Sequence, residues 1–392
     1  MWVKFRHKVF FKLFRNVVLL ILRIKYRFYT KKYKLPKGPH LILFNHPTNM
    51  DPVFAGVAVN RPTYFIANED LFNIPYVSKI LNYLVAPIPK QKSVKDLSTI
   101  RTSLRVVKEG GNIGVSPEGN RTYSGKLNNV DFAITKFIKL LKIPVVLYTI
   151  KGGFGVNPRF AVNLRKGKIY GEIARIISKE EVLNLSEEEL YKIVVETLDV
   201  DDTKLGLKYK GEKLAEYLES AFYICPVCNE FHTLRTEGNH LYCDHCNMSA
   251  EYTEDLLFKS TDERFKIKTV RDLATFQDEF IRNYDFESLE FKDDEITLYK
   301  ANKGRSRDEI LTGSISLDKD YLIIKNEETE IKLKIEEIIS LAVLYHNTII
   351  INLKEEKYHL SGNVRFNAVK YLHLFSLLKF KKEGDKGAFL GI

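Results

Sequence analysis

From residue 39 onward, short apolar runs alternate with amphipathic stretches. The runs at 40–45, 64–67, 112–116 and 145–150 read as strands; 52–60, 96–108 and 129–142 read as helices. Strand and helix in alternation predict an α/β layer domain. Gly110 and Gly111 suit a left-handed cap closing the helix that ends at Lys108. Two strand-like runs, 159–164 and 168–176, flank 165–167 and predict a hairpin. A helix at 186–198 follows, with Ser186 as N-cap and Glu189 completing a capping box, and the charged stretch 199–213 reads as a linker. Beyond a helix at 269–284, short β runs follow one another: 289–291, 295–299, 314–317, 321–325, 330–335, 338–345, 348–352 and 357–360. A helix at 367–379 ends the series, so a small antiparallel barrel or sandwich capped by a helix is expected.

The first 28 residues have a different pattern. On a helical wheel Trp2, Val3, Val9, Phe10, Leu13, Phe14, Val17, Leu20, Ile21, Ile24 and Phe28 fall on one side. Lys4, Lys8, Lys12, Arg15 and Arg23 fall on the other. Charge sharpens the picture. The 392-residue chain has a net charge of +11, yet residues 1–38 hold twelve Lys and Arg and no acid, and the remainder is nearly neutral. A cationic helix with one apolar face suits the interface of an anionic membrane; the alternative is a helix packed on its own protein with a solvated basic face. The longest uncharged run, 16–22, is too short to span, and a signal peptide fits poorly because charge continues through the would-be apolar region and no small-residue cleavage site follows. With 45% hydrophobic and 28% charged residues the chain is globular, which excludes a disordered tail and a polytopic membrane protein. A near-neutral body also argues against a nucleic-acid partner.

Two segments hold the candidate chemistry, NHPTNMD at 45–51 and SPEGNRT at 116–122. Each follows a predicted strand. A carboxylate held against one nitrogen of an imidazole fixes its tautomer and makes the other a competent base, which points to His46 and Asp51; a polar turn with Asp51 capping a helix would use the same residues. In the second segment Gly119 permits close backbone approach and Arg121 offers a fork of donors for phosphate or carboxylate, with Glu118 beside them. A structural Arg–Glu pair in a surface turn is the alternative there. Both loops end strands of one α/β domain, where sites are usually built.

Together with NEDLFNIPYVSKILNYLVAPIPK at 68–90 and IPVV at 143–146, these segments resemble the glycerolipid acyltransferase family that includes 1-acylglycerol-3-phosphate acyltransferase. The resemblance covers about residues 30 to 180. It implies acyl transfer from acyl-CoA or acyl carrier protein to the hydroxyl of a lysophospholipid, most simply 1-acylglycerol-3-phosphate, in phospholipid biosynthesis. His46 would be the base and Asp51 its orienting partner. Arg121, with Lys90 where the family usually has Arg, would hold the acceptor phosphate, while Glu118 and Gly119 shape the loop. Leu147 stands where the family has a second proline.

All four cysteines lie in CPVC and CDHC, at Cys225, Cys228, Cys243 and Cys246, with fourteen residues between the pairs. Two CxxC knuckles so spaced match a structural, four-thiolate zinc; disulfides and a rubredoxin-like iron are the alternatives. His232, His240 and His245 are expected to be spectators. The last region resembles a pleckstrin-homology-like module in pattern only. The expected architecture is thus an α/β acyltransferase domain with an N-terminal amphipathic membrane helix, followed by a zinc ribbon and a small antiparallel β domain capped by a helix. Its segments are 1–35, 36–205, 220–255 and 286–381. Such a chain would sit on the cytoplasmic face of the cell membrane, peripheral or monotopic. A rival from another class is a membrane-tethered binding scaffold whose acyltransferase-like domain is inactive and whose ribbon contacts protein or nucleic acid.

Overall fold

The most apolar runs of the first half become strands covered on both faces, as central parallel strands must be. The computed structural model describes residues 1–68, 77–90, 97–284, 291–302, 307–344 and 347–383. In chain order the first elements are α1 (Phe5–Tyr26), β1 (Phe28–Thr30), β2 (Leu41–Phe44), α2 (Asp51–Ala58), β3 (Thr63–Asn68), α3 (Val77–Leu84), β4 (Ile88–Lys90) and α4 (Leu97–Lys108). Then follow β5 (Asn112–Val115), α5 (Ala133–Leu141), β6 (Val145–Lys151), α6 (Gly153–Val156), β7 (Ile169–Ile177), α7 (Lys179–Asn184) and α8 (Glu187–Leu198). They form a seven-stranded sheet in the order β1-β7-β6-β2-β5-β3-β4. β6, β2, β5, β3 and β4 run parallel, and β7 is antiparallel to β6. Leu41, Leu43, Ile113, Val145 and Leu147 form the middle of one core with Ile138 and Val194 from α5 and α8. Ser186 and Glu189 close the expected capping box on α8, and Gly110 takes the left-handed cap after α4 with φ +79°.

Two expectations fail here. Residues 159–164 form turns and no strand, so the predicted hairpin does not exist; β7 pairs with β6 instead. Phe160 is buried and Arg159 donates to the Val343 carbonyl, so the apolar content of this segment serves packing rather than a ladder. Nor is 199–213 a linker. Asp202 is buried and accepts from the amides of Gly152 and Gly155, and Tyr209 is fully buried against Gly155. Local charge suggested solvent, but tertiary hydrogen bonds and one tyrosine outweigh it.

α1 also departs from its expected orientation. Val3, Leu22 and Tyr26 are buried, the amides of Trp2 and Val3 donate to Glu109, and Arg15 donates to the carbonyls of Val57 and Ala58. At about 1.5–3 kcal/mol per buried large apolar side chain, these anchors hold the helix against the sheet domain. Trp2, Val3 and Phe28 therefore do not share the outer apolar face, and Arg15 is not on a solvated basic one. What remains outward is a stripe of Phe5, Val9, Leu13, Val17, Leu20 and Ile24, of which Phe5 is 78% and Ile24 74% exposed. Among the described residues no helix is long and apolar enough to cross a membrane.

The chain divides into two compact units, 1–158 with 165–210, and 159–164 with 211–392. The second contains β8 (Leu234–Glu237), β9 (His240–Cys243), β10 (Ser249–Tyr252) and β11 (Phe258–Lys259) as one antiparallel sheet, then α9 (Val270–Asn283). β12 (Phe291–Ala301), β13 (Arg307–Leu317), β14 (Tyr321–Lys325), β15 (Glu330–Lys334), β16 (Ser340–Leu344), β17 (Thr348–Asn352), β18 (Lys357–Ser361) and α10 (Ala368–Glu383) complete it. Their sheet is antiparallel in the order β15-β14-β13-β12-β18-β17-β16. Of the run expected at 289–291 only Phe291 lies within the described residues, and it opens a single strand with the run at 295–299, irregular in register between Asp293 and Ile296. Tyr223 and Ile224, just before the first cysteine knuckle, share a core with β12, β17 and α10.

Candidate active site and metal centre

β2 and β5 are neighbours in register, Leu41 opposite Ile113 and Leu43 opposite Val115, so the loops that leave their C-terminal ends meet. That adjacency brings 45–51 and 116–122 together. The Glu118 side chain ties them: one carboxyl oxygen accepts the His46 amide at 2.5 Å and the other the Asn128 amide at 2.9 Å. Burial pushes the Glu118 carboxyl up to about 8, against those two N–H groups, which favour its charged form, and with the nearby Asp51 adding to the rise. Gly119 sits at φ +72° with open space around it, so its glycine is required by the left-handed backbone rather than by crowding.

His46 Nδ1 lies 2.8 Å from Asp51 Oδ2. Asp51 is wholly buried at the first residue of α2, while the His46 side chain keeps 22% of its surface exposed. The same carboxylate accepts the Thr48 amide at 2.9 Å and the Thr48 hydroxyl at 2.5 Å. Held by these donors, it fixes the ring with Nδ1–H toward Asp51 and leaves Nε2 as the acceptor of a partly exposed ring. Thr48, which the sequence marks only as a variant of the first motif that preserves polar contacts, locks the carboxylate. Asp51 is not the N-cap of α2, which is Met50.

Arg121 donates through Nε and Nη2 to the Pro47 carbonyl and through Nη2 to the Asn157 carbonyl at 2.6 Å. Its guanidinium thus braces the residue that follows His46. Lys90 is exposed at the end of edge strand β4, on the same side of the sheet as the two loops. Of the motif at 68–90, residues 69–76 lie outside the described residues.

Residues 25–151 match the Acyltransferase family model. The matched segment holds His46, Asp51, Lys90, Glu118, Gly119 and Arg121. A 1-acyl-sn-glycerol-3-phosphate acyltransferase of Borreliella burgdorferi is 28% identical over 167 residues, covering 41% of this chain. The alignment spans 64% of that relative's length. The crystal structure of the 1-acyl-sn-glycerophosphate (LPA) acyltransferase PlsC from Thermotoga maritima shares 23% identity, with a TM-score of 0.39 over 48% of this chain and 79% of that one.

Outside the acyltransferase-matching segment, the four cysteine sulfurs lie within 4.8 Å of one another. Cys225 and Cys246 are 3.8 Å apart, as are Cys228 and Cys243. Four thiolates at about 2.3 Å from a tetrahedral ion stand about 3.8 Å apart, whereas a disulfide needs about 2.05 Å. The cysteines are free, so the disulfide alternative fails and the set can hold one metal ion. Each knuckle ends in a left-handed asparagine, Asn229 at φ +62° and Asn247 at φ +58°, whose amides return to the carbonyls of Cys225 and Cys243. Among the described residues no histidine joins the cluster; burial holds His232 down at about 3.

Proposed function

We propose that the chain transfers a fatty acyl group from acyl-CoA or acyl carrier protein to the free hydroxyl of a lysophospholipid, most simply 1-acylglycerol-3-phosphate. The observation that carries this reading is the His46–Asp51 contact of 2.8 Å, with a buried carboxylate behind a partly open imidazole. Nε2 takes the acceptor's hydroxyl proton as its oxygen attacks the thioester carbonyl. Collapse of the tetrahedral adduct breaks the carbon–sulfur bond, and the imidazolium returns the proton to the departing thiolate. Asp51 steadies the transient cation. No covalent acyl-enzyme is needed when both substrates are held in line, and every cysteine of the chain lies between 225 and 246, outside the first unit. Lys90 offers a point charge to the acceptor phosphate, and Arg121 adds its field while holding Pro47 in place. Glu118 and Gly119 set the loop between them.

The apolar stripe of α1 supports work at the cytoplasmic surface of the cell membrane, since six large side chains in water are a standing cost that insertion into the interface removes. The four thiolates suit a structural zinc, a closed shell that would brace the second unit. The test is an assay in mixed micelles pairing acyl-CoAs and acyl carrier protein with lysophosphatidic acid, glycerol 3-phosphate and neutral lysolipids. Acylated product that vanishes in His46→Ala supports the reading; a folded protein silent with every pair refutes it.

A further inference from the structure

A second feature of the first unit lies at the far end of the sheet from His46. A cavity of about 550 Å³ opens between α1 and the chain leading into β3 and β5, and its wall carries Lys8, Lys12, Arg15, Lys32 and Arg61 without one carboxylate. None of these five cations is in an ion pair among the described residues. Several are fixed in place. Arg15 is held by the Val57 and Ala58 carbonyls, Lys32 by Asn16 at 3.0 Å, and Arg61 by the Pro36 carbonyl at 2.6 Å. Burial depresses the Arg15 and Arg61 guanidinium groups below their ordinary value.

Two buried donors on this wall have no partner among the described residues. Asn112, 1% exposed, accepts the His40 amide through its oxygen, while its Nδ2 has no partner among the described residues; the same holds for Arg61 Nε. An unpaired buried donor costs about 1–3 kcal/mol, and converging like charges add to that. A ligand with several anionic oxygens relieves both at once. The cavity exceeds a bare phosphate, and Phe11 on its wall belongs to the helix whose outer stripe is apolar.

We propose that this cavity is a second anion site that binds a phosphate-bearing ligand, separate from the His46 site and independent of the reaction assigned there. The phosphate can belong to a phospholipid head group or to a soluble phosphate compound.

The full chain is titrated calorimetrically with inorganic pyrophosphate, and in parallel with vesicles of equimolar phosphatidylcholine and phosphatidylglycerol against phosphatidylcholine alone. Lys8→Glu/Lys12→Glu is compared with Lys31→Glu/Lys37→Glu, an equal change of charge outside the cavity. Both pairs are exposed, so folding is retained, and a matching melting temperature checks it. Loss of two charge-assisted contacts weakens binding about tenfold or more in the cavity variant relative to its control. Weakening with both probes identifies the phosphate itself as the recognised group; weakening with the vesicles alone identifies a lipid head group. Equal responses of the two charge-matched variants to both probes overturn the site.

Discussion

The His46 site and the four-cysteine cluster are both built where two loops converge, yet one is open and the other closed. At His46 a buried carboxylate engages one nitrogen of a ring that stays partly exposed. In the cluster the four sulfurs face one another, and a bound ion would have no valence left for substrate. An open valence beside a locked partner would suit chemistry; a closed shell would suit structure.

That contrast is easiest to break at the cysteines. If the four cysteines hold a structural zinc, Cys243→Ser or a strong chelator should remove it and unfold the segment around them, because such sites contribute about 10–16 kcal/mol of binding free energy. Metal analysis and amide exchange across 225–250 check it, and exchange around His46 should stay as it was. Next comes His46→Ala, expected to lower turnover by about 10²–10⁴-fold while barely shifting the melting temperature, since the ring is partly exposed. A large fall in stability instead would make His46 structural. Asp51→Asn should lose turnover and also stability, by about 1–3 kcal/mol, because the Thr48 amide and hydroxyl then share a neutral partner; denaturant melts and initial rates separate the two.

The smallest effect is the most specific. Glu118 sits at about 8 in the fold against an ordinary 4.5. Between those values the folded state holds the proton that the unfolded state has released, so its stabilising contribution is complete below about 4.5 and is lost as pH rises through about 8. Glu118→Gln cannot titrate. Its deficit relative to the parent, set by the amide of His46 or Asn128 left without an oxygen, should therefore shrink as pH rises from 5 to 8. Urea melts across that range measure it, and a constant deficit would mean the carboxyl is charged throughout.

Much of this was legible before folding. CPVC and CDHC announce their geometry because each knuckle delivers two sulfurs within four residues, and HPTNMD places His46 and Asp51 five apart on one loop and helix start. The strands of the first sheet were visible because burial on both faces leaves continuous apolar runs such as Leu41–Phe44. Residues 159–164 misled because an alternating apolar run reads as a strand whether or not a neighbour pairs with it. Asp202 and Tyr209 misled in the opposite sense, as charge and short range hid their burial against Gly152 and Gly155.

The sequence by itself determined the residue pairs that act within a few positions of each other: the His46–Asp51 couple, the two cysteine knuckles, the capping box of Ser186 and the concentration of positive charge in the first 38 residues. Only the tertiary structure decided what lies across the sheet and behind the helix. The pairing of β2 with β5 set Glu118 under His46, Arg121 turned to the Pro47 carbonyl, and the docking of α1 chose which of its cations face the cavity and which apolar residues face outward. Such choices rest on contacts between residues some 40 or more positions apart, whose energies depend on register and burial that no local pattern encodes.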